Sequence, residues 1–153
     1  MEPEFSSEAL CAVIEQAEAS ATEICGLLLG TAERVEAMTA TRNVAQDPAR
    51  HFEVDPAALF AALRATRRGG PAILGHYHSH PRGSPDPSMT DAAQAAADGR
   101  LWLIVGGGTA RLWRAVAQGS ATAGSTGFAL PSRSVATLKK AAKRCTWTGP
   151  GGR

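Results

Sequence analysis

The segment from His78 to Asp91 reads HSHPRGSPDPSMTD and gathers the residue types that metal-assisted hydrolysis needs. Two histidines stand at i and i+2. A serine and an aspartate follow where an alanine-rich, helix-forming run begins. Residues i and i+2 of a strand point to the same side, so His78 and His80 can aim two imidazoles at one ion while Ser79 points away. The turn-rich RGSPDP connection can fold the helix start back over the strand end, and Asp91 then supplies a third ligand. Two histidines, one carboxylate and an open fourth position describe a catalytic zinc site rather than a structural one, suited to hydrolysing an amide. Nothing else in the chain carries a chemical signal of this strength.

Each residue also has a plainer reading. A lone His-x-His pair is common away from metals. Ser88 and Asp91 fit a capping box, with serine as N-cap and an acid three residues on, and a cap can coexist with a ligand role. His76 shares the face of His78, yet it lies four residues from His80, about 13 Å along an extended strand. It is therefore expected to support the ligands or line the cleft, not to join them. Cys25 could serve a soft metal but reads better as a small buried hydrophobe. His51 is assigned no role.

The elements that must position these residues alternate along the chain. Phe5 to Ala19 has a helical apolar pattern with Leu10, Val13, Ile14 and Ala17 on one side. Ile24 to Leu29 reads as a buried strand and Arg34 to Val44 as a second. Asp55 can cap a helix that opens at Pro56 and runs to about Arg68. The histidine strand follows, then the helix from Ser88. Leu101 to Val105 and Thr109 to Val116 form a hairpin across Gly106-Gly107-Gly108. The expectation is an α/β domain with a mixed central β-sheet flanked by helices.

Composition agrees with one domain and one core: 153 residues, 44% hydrophobic and 20% charged. No run approaches the roughly 18 apolar residues of a membrane span, and the acidic start MEPEFSSEAL lacks a signal-peptide pattern. Cys11, Cys25 and Cys145 are widely spaced, with no CxxC pair, which suggests a reduced, cytoplasmic setting. All 14 acids lie in residues 1–98, while residues 99–153 carry nine basic side chains and no acid. Residues 118–127 read as a flexible Gly/Ser-rich loop. Ser132 to Cys145 is expected to be a basic helix, docked by Val135, Leu138 and Ala142, with a disordered tail beyond it. Such a helix could meet nucleic acid, but no aromatics interleave with its basic residues, which weakens that case.

The pattern His78-x-His80-Pro81-x6-Ser88-x2-Asp91, with GHYHSHP around the histidines and Glu23-Ile24-Cys25-Gly26 far upstream, resembles the JAMM (MPN+) metallopeptidases. The similarity runs from about Phe5 to Val116; His76 departs from it, since that position is often aromatic there. The resemblance implies a single MPN/JAMM, cytidine-deaminase-like domain over residues 1–117, with the loop and the basic segment 128–153 appended. It implies that His78, His80 and Asp91 bind one Zn2+ per chain. Glu23 would hold the attacking water and shuttle its proton, and Ser88 would hydrogen-bond the oxyanion. On its own, Glu23 would read as a solvated acid at a strand start. The implied activity is hydrolysis of a peptide or isopeptide bond at the C-terminal Gly-Gly tail of a ubiquitin-like or sulfur-carrier protein. Two other readings stand beside it. A non-catalytic MPN interaction module would lack the five motif residues found here. DNA-repair-associated relatives share the histidine motif, but the Glu-x-Cys-Gly segment and the Tyr77–His78 context favour the peptidase branch.

Overall fold

The computed structural model describes residues 3–117 and, as backbone strands, residues 126–129, 137–141 and 144–146. In chain order the elements are β1 (Glu4–Phe5), α1 (Ser7–Glu18), β2 (Cys25–Gly30), β3 (Arg34–Thr41), α2 (Pro56–Arg67) and β4 (Ala72–His80). They continue with α3 (Met89–Gln94), β5 (Leu101–Gly106), β6 (Thr109–Ala117), β7 (Thr126–Ala129), β8 (Thr137–Ala141) and β9 (Arg144–Thr146). The sheet order is β1-β3-β2-β4-β5-β6-β8-β9, with β7 also paired to β6. β1/β3 and β4/β5 are parallel pairs and the remaining pairs antiparallel, giving the mixed sheet that the sequence predicts.

Local chemistry sets the helix starts. Ser6 caps α1 by accepting the Ala9 N–H at 3.3 Å. The helix thus begins two residues later than expected, and Phe5 is instead a buried β1 residue beside Val35 of β3. Asp55 caps α2 by accepting the Ala57 N–H at 3.0 Å, with Pro56 at the first helical position. Leu10, Val13, Ile14 and Ala17 of α1 are buried against one sheet face, together with Leu28, Tyr77, Leu101, Leu103, Val105 and Leu112. Each large aliphatic side chain buried there contributes roughly 1.5–3 kcal/mol.

The opposite sheet face carries a second cluster, Ala95, Trp102, Ile104, Trp113 and Ala115, with Phe52 packed against it. β5 is therefore buried on both faces, which accounts for its unbroken apolar run LWLIVG. Its register with β4 pairs His76 with Trp102 and His78 with Ile104. The even-numbered histidines thus share the second face, while Tyr77 points into the first core. Tyr77 lies over Gly26 of β2, where any Cβ would come within 2.3 Å of the phenol ring.

Four expectations are corrected. The helix from Ser88 is short: Ala95 is already extended (φ −67°, ψ 133°) and buried, because the chain must drop it into the second cluster before β5 starts. The basic helix expected over 132–145 is replaced at 137–141 and 144–146 by two antiparallel strands. β8 pairs with Thr109–Arg111 on the edge of β6, and this pairing outweighs local helix propensity. Residues 126–127 of the expected flexible loop belong to β7, whereas 118–125, 130–136, 142–143 and the tail from 147 lie outside the described residues. Finally, Cys25 is a free buried thiol as expected, but Cys11 is disulfide-bonded, contrary to the fully reduced set of cysteines expected. Wide spacing in sequence carries no information on proximity, and α1 packs against β9. Among the described residues, no helix is long and apolar enough to cross a membrane.

Candidate metal centre and active site

β4 ends in the two histidines that the alternation places on one face. His78 is fully buried and His80 nearly so, and their Nε2 atoms stand 3.1 Å apart. Asp91 faces both, with Oδ1 3.1 Å from His78 Nε2 and Oδ2 3.1 Å from His80 Nε2. These three residues are the group of possible ligands that the described residues bring together.

The donor set fits a metal ion on its own chemistry. His80 Nδ1 lies 2.8 Å from the Ser84 carbonyl oxygen, which can only accept, so Nδ1 carries the proton. The Nε2 atom of neutral His80 then presents a lone pair 3.1 Å from an Asp91 oxygen, an approach that repels unless a cation lies between them. Tetrahedral ligands about 2.0–2.1 Å from zinc are spaced by about 3.3 Å, close to what is found.

Asp91 is held by the turn it caps. The Ser88 N–H donates to Asp91 Oδ2 at 2.8 Å, and the Asp91 N–H donates to Ser88 Oγ at 3.0 Å, closing a capping box. Ser88 Oγ only accepts in this pair, so its O–H proton is not used there. Burial alone would raise the Asp91 pKa, but the facing His78 and His80 imidazoles and the Ser88 N–H hold it well below the usual carboxylate range.

Glu23 sits just before β2 and is 7% exposed. Its N–H donates to the Pro48 carbonyl at 2.7 Å, and its own carbonyl accepts from Asn43 Nδ2 at 2.9 Å. The next residue, Ile24, is tied to Ser79 between the two histidines by paired hydrogen bonds. Burial pushes the Glu23 carboxyl up to about 7; the charge of His80 opposes this and that of Asp91 adds to it, so the carboxylate stands within electrostatic reach of both. A carboxylic acid poised near neutrality can both take and return a proton.

His76 does not join the ligands. Its ring packs edge-on to Trp102 at 4.2 Å, its Nε2 is buried with no hydrogen-bond partner, and burial pushes its pKa down to about 3, so it stays neutral. Sequence reasoning passed over two further residues. Phe52 stacks on the His78 ring at 4.2 Å with only 13° between the planes, closing one side of that ligand. Asn43 braces the loop that presents Phe52, donating to the His51 carbonyl at 2.9 Å and accepting the Glu53 and Ala45 N–H groups at 3.1 Å. The available signal for Phe52 was that it is the one aromatic ring between Arg42 and Asp55 besides His51, since such a ring has to find cover. Asn43 gave none.

Comparison with known proteins agrees with the geometry. The profile of the family described as prokaryotic homologs of the JAB domain matches residues 6–116. A protein named desampylase from Haloferax volcanii is 39% identical over 84 residues, covering 54% of this chain and 60% of that protein. A Thermus thermophilus protein named "Probable TtuB-protein conjugate cleaving protease" is 41% identical over 70 residues, covering 46% of this chain and 47% of the relative. The matches thus span 60% and 47% of these relatives' own lengths. The solution structure of protein DSY2949 from Desulfitobacterium hafniense superposes with a TM-score of 0.65 at 24% identity, covering 82% of this chain and 88% of that one, which shows a shared fold.

Proposed function

The chain belongs to the family of prokaryotic JAB-domain homologs, and from that premise we propose that it is a zinc-dependent peptidase of the JAMM type. Its proposed substrate is a peptide or isopeptide bond at the C-terminal Gly-Gly tail of a ubiquitin-like or sulfur-carrier protein. The observation that carries this reading is the convergence of His78 Nε2, His80 Nε2 and the Asp91 carboxylate beside a buried Glu23 poised near pH 7. The names of the Haloferax and Thermus relatives, which refer to removing or cutting small protein modifiers, support the substrate class.

His78, His80 and Asp91 would hold one zinc ion per chain. Bound zinc supplies a Lewis acid for the scissile carbonyl and a water whose pKa falls to about 7. Glu23, its carboxyl poised near neutrality, would orient the attacking water, take a proton from it and return that proton to the departing amine. Ser88 donates its hydroxyl proton to the carbonyl oxygen as negative charge builds there, which is worth about 2–4 kcal/mol in comparable sites. Phe52 and the second core cluster keep bulk water from the rear of the ligands.

Access for an extended tail is provided by β3. Beyond its short pairing with β1, the outer edge from Glu36 to Thr41 has no strand partner among the described strands. Thr41 and His78 both pair with Cys25, so β2 separates this edge from the ligand strand, by two strand spacings or about 10 Å. A Gly-Gly tail laid along it would add one more strand to the sheet. A cytoplasmic location, where such carriers are made and conjugated, is part of the same proposal.

The test is cleavage of a ubiquitin-like carrier extended past its Gly-Gly end, read by mass spectrometry, with wild type against Glu23→Gln. Cleavage that is lost on chelation and in Glu23→Gln supports the reading. One bound zinc without cleavage rejects the substrate class, and no bound zinc rejects the enzyme.

A further inference from the structure

The loop from Pro81 to Pro87 joins the second histidine ligand to the turn that carries Ser88 and Asp91, and it has little backbone structure of its own. Pro81, Pro85 and Pro87 lack N–H groups, and the one backbone bond within reach of β4 is Gly83 N–H to the His80 carbonyl at 3.2 Å. Its shape is set from outside, by β5 and β6. The Trp113 indole N–H donates to the Pro85 carbonyl at 3.0 Å in a buried bond. The Arg111 guanidinium pairs with Asp86, whose other carboxylate oxygen accepts the Ser84 hydroxyl at 3.0 Å. The loop backbone also lies flat on Gly106, where a Cβ would sit 2.5 Å from the Gly83 oxygen. Arg111 and Trp113 are two residues apart on one face of β6, and Gly106 pairs with Thr109 across the same hairpin. The hairpin therefore touches the loop at three points between the His80 ligand and the Asp91 ligand.

The geometry points to Trp113 and Arg111 as positioning residues: the β5–β6 hairpin is a template that fixes the spacing between the histidine pair and the Ser88–Asp91 turn. This rests on the reading of His78, His80 and Asp91 as a metal centre. Neither residue is among the three possible metal ligands. Trp113 fixes Pro85, three residues before Ser88. Arg111 fixes Asp86 and, through the Ser84 hydroxyl, the residue whose carbonyl holds His80 Nδ1. Both ligands thus take their orientation from the same two side chains, as outer partners commonly orient metal ligands.

The test compares Trp113→Phe and Arg111→Gln with Leu112→Val, a core substitution on the same strand but on its opposite, α1-facing side. Amide exchange of the metal-free protein is the first readout. Both positioning variants are expected to speed exchange across residues 83–92 by about tenfold, the equivalent of one lost hydrogen bond, with Leu112→Val leaving that segment unchanged. Zinc affinity by chelator competition is the second, expected to weaken by about tenfold in the same two variants, with kcat falling and KM held. Arg111→Gln, at a half-buried position, keeps the test valid should Trp113→Phe not fold. Unchanged exchange in both variants, or an equal rise in Leu112→Val, overturns the proposal. A wild type that binds no zinc yet shows the exchange contrast would reject the metal centre and leave the template standing.

Discussion

Ser79 and Ile24 exchange two hydrogen bonds across the end of the sheet: the Ile24 N–H donates to Ser79 Oγ at 2.9 Å, and the Ser79 N–H donates to the Ile24 carbonyl at 3.0 Å. Ser79 sits between the two histidines and Ile24 follows Glu23, so this clasp sets the acid relative to the ligands. Ser79→Ala removes one of the two bonds and leaves the part-buried Ile24 N–H unpaired, costing roughly 1–3 kcal/mol. We expect a lower melting temperature, a kcat reduced by about tenfold or more, and unchanged zinc affinity. Equal loss of zinc affinity would show that Ser79 serves the ligands instead.

On the proposed mechanism, Glu23 links catalysis to stability in opposite senses. Its carboxyl titrates near 4.5 when unfolded and at about 7 when folded, because burial disfavours the anion. The folded state thus prefers the protonated acid. The contribution of this group is greatest below pH 4.5 and is lost as pH rises through 7. Glu23→Gln should therefore stabilise the metal-free protein at pH 8, by at most about 3 kcal/mol, and change little at pH 4. The same substitution should lower kcat by about 100-fold or more. Thermal unfolding at the two pH values, beside a peptidase assay, checks both signs.

Asp91 has two duties that a pair of substitutions separates. Asp91→Asn keeps an oxygen for the Ser88 N–H but loses the charge, so zinc binding should collapse while α3 retains its cap. Asp91→Ala should lose both, with a further destabilisation of about 0.5–2 kcal/mol from the missing cap interaction. Zinc titration and thermal unfolding of the two metal-free variants distinguish them. Equal stability would mean that the capping box contributes nothing measurable.

Phe52 covers one face of His78 and should matter more for the ligand than for the fold. Phe52→Ala exposes the imidazole to water and removes a stacked ring at 4.2 Å. Zinc affinity is expected to drop by about tenfold, with faster metal exchange. Phe52→Tyr, which keeps the ring, should restore both. Metal-release kinetics with a chromogenic chelator provide the measurement.

What could be read in advance divides by sequence separation. His78, His80, Ser88 and Asp91 lie within one strand, one turn and one helix start, so alternation and the capping pattern anticipate their convergence. Glu23 could be singled out only through the family resemblance, since nothing local connects it to a residue 55 positions away. Phe52 and Asn43 belong to a loop whose conformation depends on side-chain bonds that no periodicity encodes. The basic segment failed for a related reason: a lysine-rich stretch favours a helix locally, yet the open edge of β6 offers Thr137–Ala141 a ladder of backbone bonds. The length of α3 was overestimated because alanine propensity ignores the demand of the second core cluster for Ala95.

The capping box has a consequence for how such domains age. A descendant that abandoned metal chemistry would still have reason to retain aspartate at position 91, because the first turn of α3 depends on it with or without an ion. Glu23 enjoys no such protection. Its buried carboxyl weakens the fold at neutral pH, and the role proposed for it is chemical, so drift would erase it early. Among degenerate copies of this domain, the aspartate is a fossil that outlives activity, and the glutamate is the sign of life.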